Sequence, residues 1–150
     1  MATARPVLNQ LNLVARDFDA TLAFYRRLGL ELPDGRPSPE GVRHVGLTLP
    51  NGVRLEFDNE VLAGLYNAAW RRPGGSNRVL IGFSLPSRRE VDLLYGALTG
   101  AGHKGIQPPY DAFWGARYAV LADPDGNHVG LMSPMEERLR GGPPKSSPEP

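Results

Sequence analysis

The chain has 150 residues, and its 17 lysine and arginine residues against 16 aspartate and glutamate residues give a formal net charge of +1. This even balance creates no field that would attract nucleic acid or an anionic membrane, so neither is predicted as a partner. The sequence has no cysteine, which excludes disulfide bonds, thiolate zinc sites, iron–sulfur clusters and thiol nucleophiles, and it has only three histidines to bind a metal ion.

The sequence contains no apolar run of about 18 residues, the length that a membrane-spanning helix needs. Its first residues lack the basic and then apolar pattern of a secretory signal, so the cytoplasm is the expected compartment. Six of the last ten residues, GGPPKSSPEP, are glycine or proline. We therefore expect one domain over residues 1–140, followed by a disordered tail at 141–150.

The first half of the sequence predicts a β-α-β-β-β module over residues 7–58. Asp17 or Asp19 can cap its helix, which should end at Gly29. Alternating apolar residues predict strands at residues 7–15, 30–32, 42–49 and 53–58, with Pro50-Asn51-Gly52 as a hairpin turn. Helical periodicity continues from Asn59 to Arg72 and predicts a linking helix within residues 59–75.

The second half predicts the same module over residues 79–133. Ser87 and Glu90 form a capping box at the start of its helix. The predicted strands are residues 79–85, 104–107, 117–122 and 127–132, and a short helix is expected at Pro134–Arg140. Gln10–Asp17 aligns with Leu80–Ser87 at an offset of 70 residues, and Gly52–Phe57 aligns with Gly126–Leu131 at 74. A repeated unit of this kind indicates that neither copy closes its core alone.

Two segments resemble a known family. QLNLVARDFDATLAFYRRLGLEL is similar to the opening of vicinal oxygen chelate proteins, the superfamily of glyoxalases, bleomycin resistance proteins and extradiol dioxygenases. WGARYAVLADPDGNHVGLM is similar to their closing hairpin. The resemblance implies an α+β fold in which two βαβββ modules form a curled mixed sheet, or cup, with the helices outside. It also implies a homodimer, in which modules pair within one chain or between two.

The resemblance also identifies four strand positions that bind a divalent ion in metal-dependent relatives. Here these positions hold Gln10, Glu56, Leu80 and Gly130. Only Glu56 is a strong oxygen donor, Gln10 is a weaker one, and the other two residues have no donor atom. His128 shares a strand face with Gly130 and offers a substitute geometry. We nevertheless predict no metal and no cofactor, because two oxygen ligands are too few to hold an ion.

The face that the resemblance turns into the cup combines polar and small residues, as a ligand pocket does. Aromatic residues lie on the linking segment and in the loop before residue 117. The residues predicted to contact a ligand are Gln10, Asn12, Arg54, Glu56, Trp70, Tyr110, Phe113, Trp114, Arg117 and His128. Trp70 and the loop aromatics equally suit the core or an interface.

These features favour a metal-independent protein that binds a hydrophobic or aromatic small molecule, such as an antibiotic or natural product, in a dimeric cup. The alternative is a lyase, isomerase or dioxygenase of the same superfamily that uses Glu56 as a metal ligand or general base. If the protein is a binder, no residue is catalytic. A third interpretation is an interaction module whose cup is filled by its own side chains.

Overall fold

The computed structural model describes residue 5, residues 7–74 and residues 79–142. Most of the predicted tail, residues 143–150, therefore lies outside the described residues. The chain divides into two compact units, Met1–Gly75 and Ser76–Pro150. Within the described ranges, no helix has the length and apolar character needed to cross a bilayer.

The first unit contains β1 (Gln10–Ala15), α1 (Phe18–Leu28), β2 (His44–Thr48), β3 (Arg54–Asn59) and α2 (Glu60–Tyr66). Its sheet has the order β1-β3-β2, with β1 parallel and β2 antiparallel to the central β3. Both predicted boundaries of α1 are confirmed. Asp17 accepts a hydrogen bond from the Ala20 amide at the start, and Gly29 ends the helix at a φ of 116°.

The second unit contains β4 (Leu80–Ser84), α3 (Arg88–Gly100), β5 (Lys104–Asp111), β6 (Arg117–Ala122) and β7 (His128–Met132). Its sheet has the order β4-β7-β6-β5, in which β4 is parallel to β7 and the other pairs are antiparallel. Ser87 caps α3 by accepting a hydrogen bond from the Glu90 amide, as the capping box predicts. The α+β fold with two similar units is thus confirmed.

Each sheet buries one face against its helices. In the first unit the ring of Tyr25 on α1 lies 4.8 Å from the ring of Phe57 on β3, and both residues are fully buried. In the second unit α3 packs against β5, β6 and β7. Ala119, Leu121 and Leu131 have no exposed surface there. The opposite face of each sheet is left for polar or cavity-lining residues.

The predicted strand at residues 30–32 is wrong, because that segment is not paired in the sheet of the first unit. The Arg26 guanidinium instead donates hydrogen bonds to the carbonyl oxygens of Leu32 and Pro33, at 2.8–3.0 Å. These carbonyls therefore bind a side chain of α1 rather than a neighbouring strand.

The linking helix is shorter than predicted, since α2 ends at Tyr66. The Asn67 side chain accepts a hydrogen bond from the Ala69 amide, and the Asn67 backbone carbonyl accepts one from the Trp70 amide. An asparagine that bonds its own backbone in this way competes with helix propagation. Trp70 therefore follows the helix instead of lying on it.

Two further boundaries differ in the second unit. The predicted strand at 104–107 extends to Asp111 and pairs with β6 through two register shifts. It tolerates Pro108 and Pro109 because it is an edge strand. The helix expected at Pro134–Arg140 is only a 3₁₀ turn at Glu137–Leu139.

Candidate functional site

The first unit has a polar sheet face formed by alternating residues of three strands. Arg54, Glu56 and Asp58 lie on one face of β3, while Leu55 and Phe57 are buried on the other. The register pairs this face with β1, where Gln10 and Asn12 lie opposite Arg54 and Glu56. The register also pairs this face with β2, where His44 lies opposite Asp58 and Gly46 lies opposite Glu56.

His44 bridges two buried carboxylates on this face. Its Nδ1 lies 2.5 Å from Asp58 Oδ1, and its Nε2 lies 3.0 Å from Glu56 Oε2. The side chains of Asp58 and Glu56 are only 1% and 8% exposed, whereas that of His44 is 42% exposed. Two such contacts need two protons, both on the ring or one on the ring and one on a carboxyl group. The bridge therefore holds two protons among three side chains, one of which, His44, is partly exposed to solvent.

Asp58 is held by further donors. Asn12 Nδ2 and the Tyr66 hydroxyl donate to Asp58 Oδ2 at 2.9 and 3.1 Å, and Gln10 donates to Asn12 Oδ1 at 2.7 Å. Burial of the Tyr66 hydroxyl, its hydrogen bond to Asp58 and the charge of that carboxylate raise the pKa of Tyr66 above its ordinary value. The polar network thus continues from β1 through β3 to α2.

Both oxygens of Glu56 already have partners. Arg54 binds Glu56 Oε1 through Nη2 at 2.6 Å and Nε at 2.7 Å, and His44 faces Oε2. Gly46 makes room for this pair, because a Cβ atom there would lie 3.2 Å from both Arg54 Nη2 and Glu56 Oε1. Glu56 is therefore a hydrogen-bonded member of the network rather than an open carboxylate.

These residues do not fit the metal ion that the resemblance associates with their positions. Both oxygens of Glu56 are occupied by Arg54 and His44, so the one strong oxygen donor among the four positions is not free to bind an ion. The two ring nitrogens of His44 point to different carboxylates, so they do not converge with them on one point. Across the described part of the chain, no group of three or more potential ligands forms a metal site. We derive no metal-dependent step from this arrangement.

The second unit contains a cavity of about 360 Å³. It lies at the sheet face away from α3, because Tyr118 lines it while the preceding residue of β6, Arg117, bonds to Asp92 on α3. The lining residues are Leu80, Gly82, Phe83, Ser84, Trp114, Tyr118, Gly130 and Met132. Its size and mainly apolar wall are typical of a small-molecule site.

An aromatic cluster centred on Trp114 borders this cavity. The Trp114 ring lies 5.2 Å from the rings of Phe113 and Tyr118 and 6.4 Å from that of Tyr110, all at steep edge-to-face angles. Trp114 Nε1 also donates to Met132 Sδ at 3.4 Å. Three aromatics that the sequence predicts as ligand contacts are thus brought together, and Trp114 lines the cavity itself.

Two glycines form part of the cavity wall. A Cβ atom on Gly82 would have no atom within 4 Å, whereas one on Gly130 would lie 2.8 Å from the Tyr118 hydroxyl oxygen. Burial of the Tyr118 hydroxyl, together with the nearby Tyr110, raises the pKa of Tyr118 above its ordinary value. Tyr118 therefore remains an uncharged donor near neutral pH.

Three predicted contact residues lie elsewhere. Arg117 is on the α3 face of β6, bonded to Asp92 at 2.9 Å and Asp111 at 3.1 Å, and it does not line this cavity. Those hydrogen bonds raise the pKa of Arg117. His128 begins β7 without lining the cavity, and Trp70 is half-buried in the first unit.

Several residues of these two sites are absent from the predicted list of ligand contacts. His44, Asp58 and Tyr66 complete the polar network of the first unit, and Tyr118 completes the cavity of the second. The alternation of β3 places Asp58 beside Glu56 on one face, and that signal was available. The contribution of Tyr66 from α2 has no local sequence signal.

Known proteins resemble this chain in sequence and fold. A family model described as the Glyoxalase/Bleomycin resistance protein/Dioxygenase superfamily matches residues 7–131. An uncharacterized protein of Mycobacterium bovis is 29% identical over 130 residues, which are 84% of this chain and 82% of that protein. The crystal structure of a glyoxalase/bleomycin resistance protein/dioxygenase from Nocardioides has a TM-score of 0.68 and 27% identity, covering 97% of this chain and 92% of that one.

A second structural relative is a glyoxalase/bleomycin resistance protein/dioxygenase family enzyme from Burkholderia phytofirmans PsJN. It has a TM-score of 0.70 and 25% identity, and the match covers 84% of this chain and 97% of that one. The family model alone spans well over half of the sequence. The chain therefore belongs to the Glyoxalase/Bleomycin resistance protein/Dioxygenase superfamily.

Proposed function

We propose that this protein is a metal-independent binder of a hydrophobic or aromatic small molecule, such as an antibiotic or natural product. The ligand occupies the cavity of the second unit, and the protein acts as a cytoplasmic homodimer. The observation that carries this proposal is the cavity of about 360 Å³ bordered by Trp114 and Tyr118. Aromatic rings with defined edge-to-face packing present a flat, rigid surface for a planar ligand at little entropic cost.

The residues at the four positions that the resemblance associates with a metal ion support the binding role over the best-known chemistry of the superfamily. Leu80 and Gly130 have no donor atom, and both oxygens of Glu56 are occupied. Leu80 and Gly130 instead contribute apolar surface and space to the cavity wall. Two of the four positions that the resemblance associates with a metal ion therefore line the cavity here.

Tryptophan fluorescence tests the proposal directly. The chain has two tryptophans, so Trp70→Phe leaves Trp114 as the only emitter. We expect planar aromatic compounds from a screen to quench or shift its emission saturably and to raise the melting temperature. Gly82→Val should abolish both effects, because the added side chain enters open space at the cavity wall.

Gly64→Ala provides the matched control, since it adds carbon at another glycine with open space, on α2 of the first unit. It should leave ligand binding unchanged. A screen in which no planar aromatic compound alters the Trp114 emission would overturn the proposal. So would a ligand whose affinity is the same in wild type and Gly82→Val.

One observation favours the enzymatic alternative, a lyase, isomerase or dioxygenase. His44 connects Glu56 to Asp58 through two short contacts, so protons can move among three groups beside solvent. Mass spectrometry of any ligand after incubation with the protein tests this alternative. Turnover that Glu56→Gln abolishes, with ligand affinity retained, would establish an enzyme. An unchanged ligand would leave only the binding role.

A further inference from the structure

The polar groups around the cavity of the second unit are uncharged hydrogen-bond donors. They are the hydroxyls of Tyr118 and Ser84 and the indole N–H of Trp114. Among the described residues that line the cavity, none has a carboxyl group or a basic side chain. A ligand in the cavity therefore meets hydrogen-bond donors but no charged side chain that could neutralise a charge on the ligand.

These donors are available to a ligand. Among the residues that the structure describes, Trp114 Nε1 has only the thioether of Met132 as acceptor, at 3.4 Å, and a thioether is a weak acceptor. Within residues 79–142, no hydrogen bond of the Tyr118 or Ser84 hydroxyl is found. The raised pKa of Tyr118 keeps its phenol protonated over the physiological range. A carbonyl oxygen entering the cavity would thus find a donor already in place.

We propose, building on the proposed function, that the cavity selects flat aromatic molecules that are uncharged and have a hydrogen-bond acceptor such as an aryl ketone. Tyr118 donates to that acceptor and determines the selectivity. Its hydroxyl is fixed over β7, because Gly130 leaves the space that this oxygen occupies. The aromatic part of the ligand packs against Trp114.

Charged ligands are disfavoured for a physical reason. An anion loses its hydration without gaining a cation, since the one arginine of β6, Arg117, is bonded to Asp92 and Asp111 on the other face. A cation gains no carboxylate from the lining residues, and only the aromatic faces would attract it. Tightest binding of an anion or of a cation is therefore the result that would compete with this proposal in the test.

Four probes of matched shape separate these possibilities: 2-acetylnaphthalene, 2-ethylnaphthalene, 2-naphthoate and 2-naphthylmethylammonium. Equilibrium dialysis of the full chain gives the affinity for each. We expect the ketone to bind about fivefold more tightly than the ethyl compound, the ratio typical of one neutral hydrogen bond, and both ions to bind more weakly than the ketone. Tyr118→Phe should remove that fivefold difference while keeping the affinity for 2-ethylnaphthalene.

Tyr95→Phe is the control, because it removes a hydroxyl from α3, which packs on the other face of the sheet. It should preserve the fivefold preference. Equal binding of ketone and ethyl compound, or tightest binding of either ion, would overturn this inference and leave the proposed function intact. If none of the four probes binds and the fluorescence screen is also negative, the proposed function itself fails. A preference for the ketone that survives Tyr118→Phe would show that another donor selects the ligand.

Discussion

The hydroxyl oxygen of Tyr118 lies over the backbone of Gly130, 2.8 Å from the point that a Cβ atom of residue 130 would occupy. The resemblance assigns a metal ligand to this position in metal-dependent relatives, and here the tyrosine takes the space of that side chain. A glycine at residue 130 and a tyrosine at residue 118 therefore depend on each other. The pair converts a ligand position into part of a cavity wall.

Gly130→Ala should lower the free energy of unfolding by about 1–2 kcal/mol, because the new methyl group overlaps the Tyr118 hydroxyl and the side chain of Leu80. In a Tyr118→Phe background the cost should fall, since one of the two overlaps is gone. Urea unfolding of the two single variants and the double variant measures this coupling. Strictly additive costs would show that Tyr118 does not occupy that space in solution.

Trp114→Ala should destabilise the second unit by about 2 kcal/mol, because it removes the ring that contacts Tyr110, Phe113 and Tyr118. Trp114→Phe keeps an aromatic ring at the centre of the cluster and should cost less than half as much. Denaturant unfolding of both variants provides the comparison. Equal losses would mean that the indole N–H contact to Met132, rather than ring packing, stabilises the cluster.

Helix ends and strand faces were predictable because their signals are local. Asp17, Gly29 and Ser87 each act within one helical turn, and all three behave as the sequence indicates. The position of Glu56 on the polar face of β3 follows in the same way, because it alternates with the apolar residues Leu55 and Phe57. A hairpin centred on Asn51 also pairs residues at equal distances from it, which places His44 opposite Asp58. That bridge was therefore within reach of the sequence.

The remaining features depend on competing interactions that the spacing of apolar residues in the sequence does not reveal. Helical spacing continues to Trp70, but Asn67 binds the backbone beyond it and ends α2. Both faces of β6 are largely apolar, with Ala119 and Leu121 on one and Val120 on the other, so alternation did not reveal which face meets α3. Arg117 was therefore predicted as a ligand contact, whereas its side chain bonds to Asp92 on the α3 face. Its partner Asp92 comes from a different element.

Tyr66 should titrate above its ordinary pKa of 10.0, because burial of its hydroxyl and Asp58 favour the neutral phenol. A raised folded-state pKa means that this contribution to stability is complete below the unfolded-state pKa. It is then lost as the pH rises through the folded-state pKa. Asp58→Asn should move the Tyr66 pKa back toward 10.0, as measured by NMR of isotope-labelled tyrosine.

Glu56→Gln is the control for this titration, since it makes the same carboxylate-to-amide change beside His44 rather than beside Tyr66. It should change the Tyr66 pKa much less than Asp58→Asn does. If Tyr66 titrates at its ordinary pKa in the wild type, its hydrogen bond to Asp58 is absent in solution.

His44→Ala should lower the free energy of unfolding by about 2 kcal/mol at neutral pH. It removes the ring that contacts two carboxylates, which are 8% and 1% exposed and lie on the same face of β3. Glu56→Gln in the His44→Ala background should recover part of the loss, because one of the two buried carboxyl groups that His44 contacted is then replaced by an amide. Denaturant unfolding of the three variants measures both effects.

His128→Ala is the matched control, since His128 is only half-buried and no hydrogen bond of its imidazole is found within the described ranges. It should change stability by no more than about 0.5 kcal/mol. A loss in His44→Ala no larger than the loss in His128→Ala would mean that the bridge stabilises nothing. Such a result would favour the enzymatic alternative, because a solvent-facing histidine held between two carboxylates at no gain in stability is a typical feature of a proton-transfer site.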